Sequence, residues 1–265
     1  MKLQEMRNNW ALITGASTGI GREFAIKLAA AGMNLVLVAR REHLLNALAL
    51  ELTKRFNIQA LPVSADLTLD DALSKIKSCL EPKGIQVRLL VNNAAMARWG
   101  NFELTSFKDY EKIITLNVLT MVSFCHHFFL DLRSFPTSAI INVSSPAAFN
   151  PIPYMAVYAA SKAFASSFSQ ALYGEWEKHG ILVQTLMPGP TETDLGKAAA
   201  AYSKFFKDMC PAEEVVKTAL DHLSRNSPLV ITARKTFNQR LFTTIFPTKF
   251  VIKTLARLFQ PPSSN

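Results

Sequence analysis

The sequence predicts an α/β protein built on a doubly wound parallel sheet, in a single domain with a helical lid and an extra C-terminal helical segment. Three observations carry that prediction. Strand-length apolar runs alternate with helical patterns along the chain. These runs are apolar at successive positions rather than at every second one, as strands covered on both faces require. A glycine-rich turn, Thr14-Gly15-Ala16-Ser17-Thr18-Gly19-Ile20-Gly21, joins the first run to the first helical pattern.

Taken in order, Trp10–Thr14 reads as the first strand and residues 19–31 as the first helix. Asn34–Ala39 gives a second strand and residues 42–55 a second helix. Residues 58–64 and Val87–Asn92 follow as the third and fourth strands. One long helix is expected over residues 107–132, then a strand over 139–143. Residues 158–179 have a helical pattern and 181–186 a strand pattern. After Pro188-Gly189-Pro190 the composition changes, and residues 191–210 lie where a lid would sit. A helix over 212–226 suits Pro211 at its start and Glu213 and Glu214 in its first turn. Residues 229–232 form a short last strand, and 233–265 a basic extension. Right-handed crossovers then place ligands beyond the carboxyl ends of the strands.

Bulk properties narrow the function. A chain of 265 residues can bury one large core, and 49% apolar with 18% charged residues excludes general disorder. The net charge of +9 favours an anionic partner: a cofactor, an acidic carrier protein, nucleic acid or a lipid surface. With no recognition helix or zinc-finger pattern, nucleic acid is not expected. Cys79, Cys125 and Cys210 are too widely spaced for a metal or redox motif, which suits a reducing compartment. No metal is expected. The first ten residues lack a signal-peptide core, and no apolar run reaches the length of about 18 residues that spans a bilayer. A cytoplasmic location is therefore expected.

The glycine turn supplies what a dinucleotide diphosphate needs: a tight bend, close approach to the backbone, and the N–H groups of a helix start. Thr14, Gly15, Ser17, Thr18, Gly19, Ile20 and Gly21 are expected to border the cofactor. At the end of the second strand, Ala39 takes the place of the carboxylate that would accept from adenosine ribose hydroxyls. Arg40 and Arg41 follow it, and a guanidinium there can pair with a 2′-phosphate, so NADP is expected rather than NAD. Asp66 and Leu67 are placed to meet the adenine. Asn93, Ala94 and Ala95 close the fourth strand, where small side chains let the dinucleotide pass. Asn92 suits a turn cap as well as a ligand contact.

Tyr158 and Lys162 stand four residues apart, on one face of a helix, with Ser145 thirteen residues before the tyrosine. Hydride transfer to a carbonyl leaves charge on oxygen that a phenol can neutralise. An ammonium one turn away would lower the phenol pKa, and a hydroxyl would polarise the carbonyl.

Over residues 11–232 the chain resembles the classical short-chain dehydrogenase/reductase family, whose members have a Rossmann fold. The likeness rests on Thr14 to Gly21, Asn92 to Ala95, Ser145, Tyr158 with Lys162, and Pro188-Gly189. It implies Tyr158 as acid/base, Ser145 as the carbonyl-orienting hydroxyl and Lys162 as the group that tunes the tyrosine. It also implies that Asn117 helps to hold a proton-relay water, and that Pro188, Gly189, Thr191 and Thr193 lie by the cofactor. Ala95 stands where the family often has glycine. The short last strand, with a further segment after it, puts the family's usual tetramer in doubt. A homo-oligomer is expected, with a dimer preferred.

For the substrate, residues 146–155 and the lid offer Phe149, Tyr154, Leu195, Tyr202 and Phe205 beside Ser145, walls suited to a lipophilic carbonyl or alcohol. A 3-oxoacyl thioester and a steroid-like ketone both fit. Residues 222–265 hold seven Lys or Arg and no acidic residue. Residues 247–259 pattern as an amphipathic helix, which fits an anionic lipid surface and equally a cover over the pocket or against a partner subunit. Two readings without turnover compete with an enzyme: an NADP-binding scaffold or sensor, and a membrane-recruited interaction protein.

Overall fold

The computed structural model describes residues 2–202, 208–232 and 245–260. Seven strands, β1 (Trp10–Thr14), β2 (Asn34–Ala39), β3 (Ala60–Ser64), β4 (Val87–Asn92), β5 (Ser138–Val143), β6 (Ile181–Met187) and β7 (Leu229–Ile231), form one sheet. Its order is β3-β2-β1-β4-β5-β6-β7 and every pairing is parallel. The chain works outward in one direction from β1 to β3, then crosses back to β4. The switch in direction therefore falls between β1 and β4, where a doubly wound sheet opens a crevice at its carboxyl edge.

The continuous apolar runs are explained by two cores, one on each face. Successive side chains of a strand go to opposite faces. Ile13, Leu35, Leu37, Leu89, Val91 and Ile141 join the core under α1 (Gly19–Ala30) and α2 (Glu42–Phe56), where Phe24, Leu28, Leu45 and Leu52 are buried. Leu12, Val36, Val38, Leu90, Ile140 and Val183 join the opposite core. That core is completed by α3 (Ala72–Leu80), α5 (Thr120–His127) and α7 (Ala156–Trp176). The sheet is thus a double-sided hydrophobic layer, and its position fixes everything at the carboxyl edge.

Two helical expectations are corrected. The single helix expected over 107–132 is α4 (Phe107–Ile114), a widened π turn over Thr115–Leu119, α5, and α6 (Phe129–Arg133) beyond a break at Phe128. Inside the widened turn, the Thr120 hydroxyl donates to the Thr115 carbonyl at 2.9 Å, five residues back. Helix α3, which the sequence reading leaves unassigned, buries only Ala72, Ile76 and Leu80. The lid begins as α8 (Asp194–Tyr202), and α9 (Ala212–Leu223) returns to the first core. The final described helix, α10 (Thr248–Phe259), buries Val251 and Phe259.

Candidate active site

Each strand from β1 to β6 releases its chain at the same edge, and the expected site residues follow directly. A cavity of about 1340 Å³ runs along this edge from Arg40 and Asp66 to Phe259. That exceeds the roughly 300–1,000 Å³ of an ordinary ligand pocket, and has room for a dinucleotide together with a second molecule.

At one end lies the glycine turn. The Thr14 hydroxyl donates to the Val91 carbonyl and accepts from the Asn93 and Ala94 amides at 3.0 and 3.1 Å, clamping β1 to the end of β4. Asn93 Nδ2 donates to the Thr14 and Gly15 carbonyls at 3.0 and 3.3 Å. Gly15 has φ +67°, and a Cβ on Gly21 would meet the Gly15 carbonyl and Asn93 Nδ2. Glycine is required at both positions by conformation and by space. This cradle, with α1 starting behind it, fits a diphosphate. Asn92 has a structural place: its amide donates to Asn142 Oδ1 across β4 and β5 at 2.8 Å.

The two arginines part company. Arg41 reaches back over the turn, donating to Thr18 Oγ1 at 2.8 Å and to Ser17 Oγ at 3.2 Å. Arg40 lies in the cavity wall by Asp66. Burial works against the Asp66 charge, but the Thr68 amide and hydroxyl and the Arg40 charge hold its carboxyl below the usual range. Leu67, Ala94, Ala95, Pro188 and Gly189 all line the cavity. Thr191 donates to the Gly189 carbonyl, and Thr193 accepts from the Gly196 amide at the start of α8.

In the middle of the cavity, Ser145, Tyr158 and Lys162 converge. Ser145 follows β5, while Tyr158 and Lys162 share one face of α7. The Ser145 hydroxyl accepts from the Ala147 amide at 3.2 Å and lies close enough to the Tyr158 phenol to favour its ionised form. Lys162 Nζ donates to the Val143 carbonyl at 2.8 Å and lies 5.8 Å from the Tyr158 ring centroid. Neighbouring Ser144 is spent on the Lys162 carbonyl at 2.8 Å. Burial pushes the Tyr158 phenol up and brings Lys162 down to about 8. Desolvation disfavours both charged forms, and at the phenol it is the Ser145 hydroxyl that acts against it.

Asn117 sits in the widened turn, 1% exposed. Its Oδ1 accepts from the Met96 amide, and its Nδ2 donates to the Met96 carbonyl, both at 2.9 Å, and to Ser161 Oγ at 3.0 Å. Ser161 in turn donates to the Tyr158 carbonyl at 2.7 Å. Asn117 therefore ties the loop after β4 to the helix that holds the tyrosine.

The substrate wall differs in part from expectation. Leu195 and Ser145 line the cavity, but Phe149 and Tyr154 do not. Tyr154 adopts φ +65° and turns to a small side cavity with Arg98, Phe102 and Tyr110. Its carbonyl accepts from the Gly100 amide at 3.0 Å. The wall is instead Ile152, Met155 and Trp99, roofed by Leu255, Leu258 and Phe259 of α10. The Tyr202 side chain and Phe205 lie outside the described residues.

A parallel sheet with this order, a glycine cradle at its switch point and a serine–tyrosine–lysine cluster beside it define a nucleotide-dependent reductase or dehydrogenase. Residues 9–203 match the sequence profile of the family described as short chain dehydrogenase, and the chain belongs to that family. It is 33% identical over 215 residues to the very-long-chain 3-oxoacyl-CoA reductase of Mus musculus, an alignment covering 80% of this chain and 67% of that protein. A structure solved for a study of 7beta-hydroxysteroid dehydrogenase stereoselectivity superposes with a TM-score of 0.85 at 28% identity, over 97% of this chain and 100% of that one. A short-chain dehydrogenase from Sphingobium yanoikuyae in complex with NADPH gives a TM-score of 0.79 at 31% identity, over 90% and 96% of the two chains. Among the described residues, no helix is long and apolar enough to cross a membrane.

Proposed function

We propose that the protein is an NADP(H)-dependent oxidoreductase that interconverts a ketone and a secondary alcohol on an apolar substrate. The observation that carries this reading is the meeting of Ser145, Tyr158 and Lys162 in the cavity whose far end holds the glycine cradle and two arginines. The relative solved with NADPH supports the choice of cofactor. Bound NADPH supplies the hydride.

The residues divide the remaining work. Gly15, Gly19 and Gly21 admit the diphosphate, and Arg40 and Arg41 take the 2′-phosphate. Ser145 holds the carbonyl oxygen, and Tyr158 gives it a proton. A raised phenol pKa suits this direction, because the proton stays on Tyr158 until charge develops on the substrate. Lys162, near 8, is close enough to neutral pH to pass a proton on. With the Asn117 amide spent on Met96 and Ser161, a relay water falls to the main chain of the widened turn.

The substrate is read as a bulky lipophilic ketone, a 3-oxoacyl thioester or a ketosteroid, held by Ile152, Met155 and the roof of α10. An NADPH-oxidation screen over both classes is expected to find turnover. NADPH binding with no oxidation of any ketone would instead favour the scaffold reading. Phe107, Ile114, Leu119 and Phe164 are 40–77% exposed on α4, the widened turn and α7, and form the face assigned to a second copy in a dimer. Sedimentation equilibrium tests that state. Lys249, Lys253 and Arg257 on the outer side of α10 are assigned to peripheral contact with anionic lipid, tested by cosedimentation with phosphatidylserine vesicles.

A further inference from the structure

Asp194 places a carboxylate among the donors assigned to the cofactor phosphate. Its Oδ2 lies 3.4 Å from Arg41 Nη2, 3.5 Å from Arg41 Nη1 and 3.4 Å from Thr18 Oγ1. The same guanidinium donates to Thr18 Oγ1 and Ser17 Oγ. Three segments meet here: the glycine turn, the residues after β2 and the first residue of α8. Together they present one acceptor to one cluster of donors, as a bound anion would be presented. The next residue back, Thr193, packs so closely that a Cβ on Gly19 would lie 2.7 Å from its methyl group. Asp194 is thereby set against the turn rather than swinging at the end of a loop.

We propose that Asp194 is a specificity-determining residue, an internal competitor of the 2′-phosphate for Arg41, Thr18 and Ser17. This rests on the NADP reading above. A 2′-phosphate paired with Arg41 takes the cation from Asp194 and leaves two anions side by side, so the carboxylate has to withdraw. A cofactor without that phosphate meets no such conflict. The Arg41–Asp194 pair is long and its side chains are 46% and 68% exposed, so a phosphate, with more charge and more acceptor oxygens, displaces it. The carboxylate thus tempers the preference for NADP without abolishing it.

The test is calorimetric titration of the full chain with 2′,5′-ADP and with 5′-AMP, which differ only in the phosphate at issue. In Asp194→Asn the Kd of 2′,5′-ADP is expected to fall about three- to ten-fold, with that of 5′-AMP unchanged. In an Arg41→Met background the gain for 2′,5′-ADP is expected to shrink to the part owed to Thr18 and to the carboxylate's own charge, again with 5′-AMP unchanged. Equal tightening of both ligands, no change, or weaker binding of 2′,5′-ADP overturns the proposal and leaves Asp194 with a structural role in the lid. If the parent protein binds 2′,5′-ADP no better than 5′-AMP, the NADP reading itself falls, and the competitor with it.

Discussion

Lys162 is a buried cation whose ammonium is held by a backbone carbonyl, and burial alone accounts for its descent to about 8. In the unfolded chain a lysine keeps its ordinary value of 10.5 and binds its proton sooner as the pH falls. Folding is therefore opposed progressively from about pH 10.5 down to 8, and fully below that. Lys162→Met is expected to stabilise the fold at pH 7 by up to about 3 kcal/mol while abolishing turnover. Urea denaturation at pH 7 and pH 10.5 checks it: the gain should shrink at the higher pH, and a gain that ignores pH would show that the lysine does not titrate in this way. Tyr158→Phe keeps the ring and removes only the proton donor. It should leave NADPH binding intact and lower kcat by about 10²–10⁴-fold; wild-type turnover would remove Tyr158 from the chemistry. The sequence singles out these two residues and Ser145 because the glycine turn upstream and the family resemblance give meaning to a Tyr-x-x-x-Lys spacing that is common by chance. The structure brings all three to one cavity. The division of labour between Arg40 and Arg41 was not legible, since neighbouring residues at a strand end point in different directions.

At the level of the element, the glycine turn and the widened turn stand at opposite ends of legibility. Glycines 15, 19 and 21 announce their role because a Cβ at each would meet a neighbouring atom at 2.8 Å or less, with a left-handed backbone at Gly15 and Gly19 besides. Gly21→Ala would force its Cβ onto the Gly15 carbonyl and Asn93, and should abolish NADPH binding; fluorescence titration with NADPH reads this directly, and binding at parental affinity would refute the cradle. The widened turn at Thr115–Leu119 is silent in the sequence, because one extra residue in a turn hardly disturbs a 3.6-residue pattern. Only Asn117, polar in an apolar stretch, hints at it. Asn117→Ala removes the side-chain bonds to Met96 and Ser161 and leaves the partly buried Met96 amide and carbonyl without these partners. It should cost about 1–3 kcal/mol in denaturant unfolding and lower kcat more than it changes cofactor affinity. Helix α3 escaped notice because nine residues with three buried positions give too brief a stripe. Phe149 and Tyr154 do not line the main cavity, and a loop has no periodicity from which side-chain direction could be read; Tyr154, with its left-handed backbone, borders the small side cavity instead.

Across the whole molecule, the sheet fixes the reacting groups and the chain's last described helix closes the space above them. Strands β1, β2 and β4 begin and end where the apolar runs do, because each run is buried on both sides and stops where the cavity starts. The fate of the amphipathic tail was open, since an apolar stripe does not say what it covers. In the structure it packs on Ile152, Met155 and Trp99. Phe259→Ala should raise KM for a bulky ketone about ten-fold and leave the NADPH Kd unaltered; steady-state kinetics with a short and a bulky ketone tests this, and equal effects on both would argue that the roof only stabilises the fold.

The roof comes from a stretch of chain remote from the glycine cradle and from Ser145, Tyr158 and Lys162. One part of what meets the ketone, the roof, is consequently encoded apart from the residues of the hydride chemistry, while Ile152 and Met155 lie between Ser145 and Tyr158. Exchanging residues 245–260 for those of another member would give a chimera with inherited catalysis and a new menu, an economical route to diversification in nature and in the laboratory.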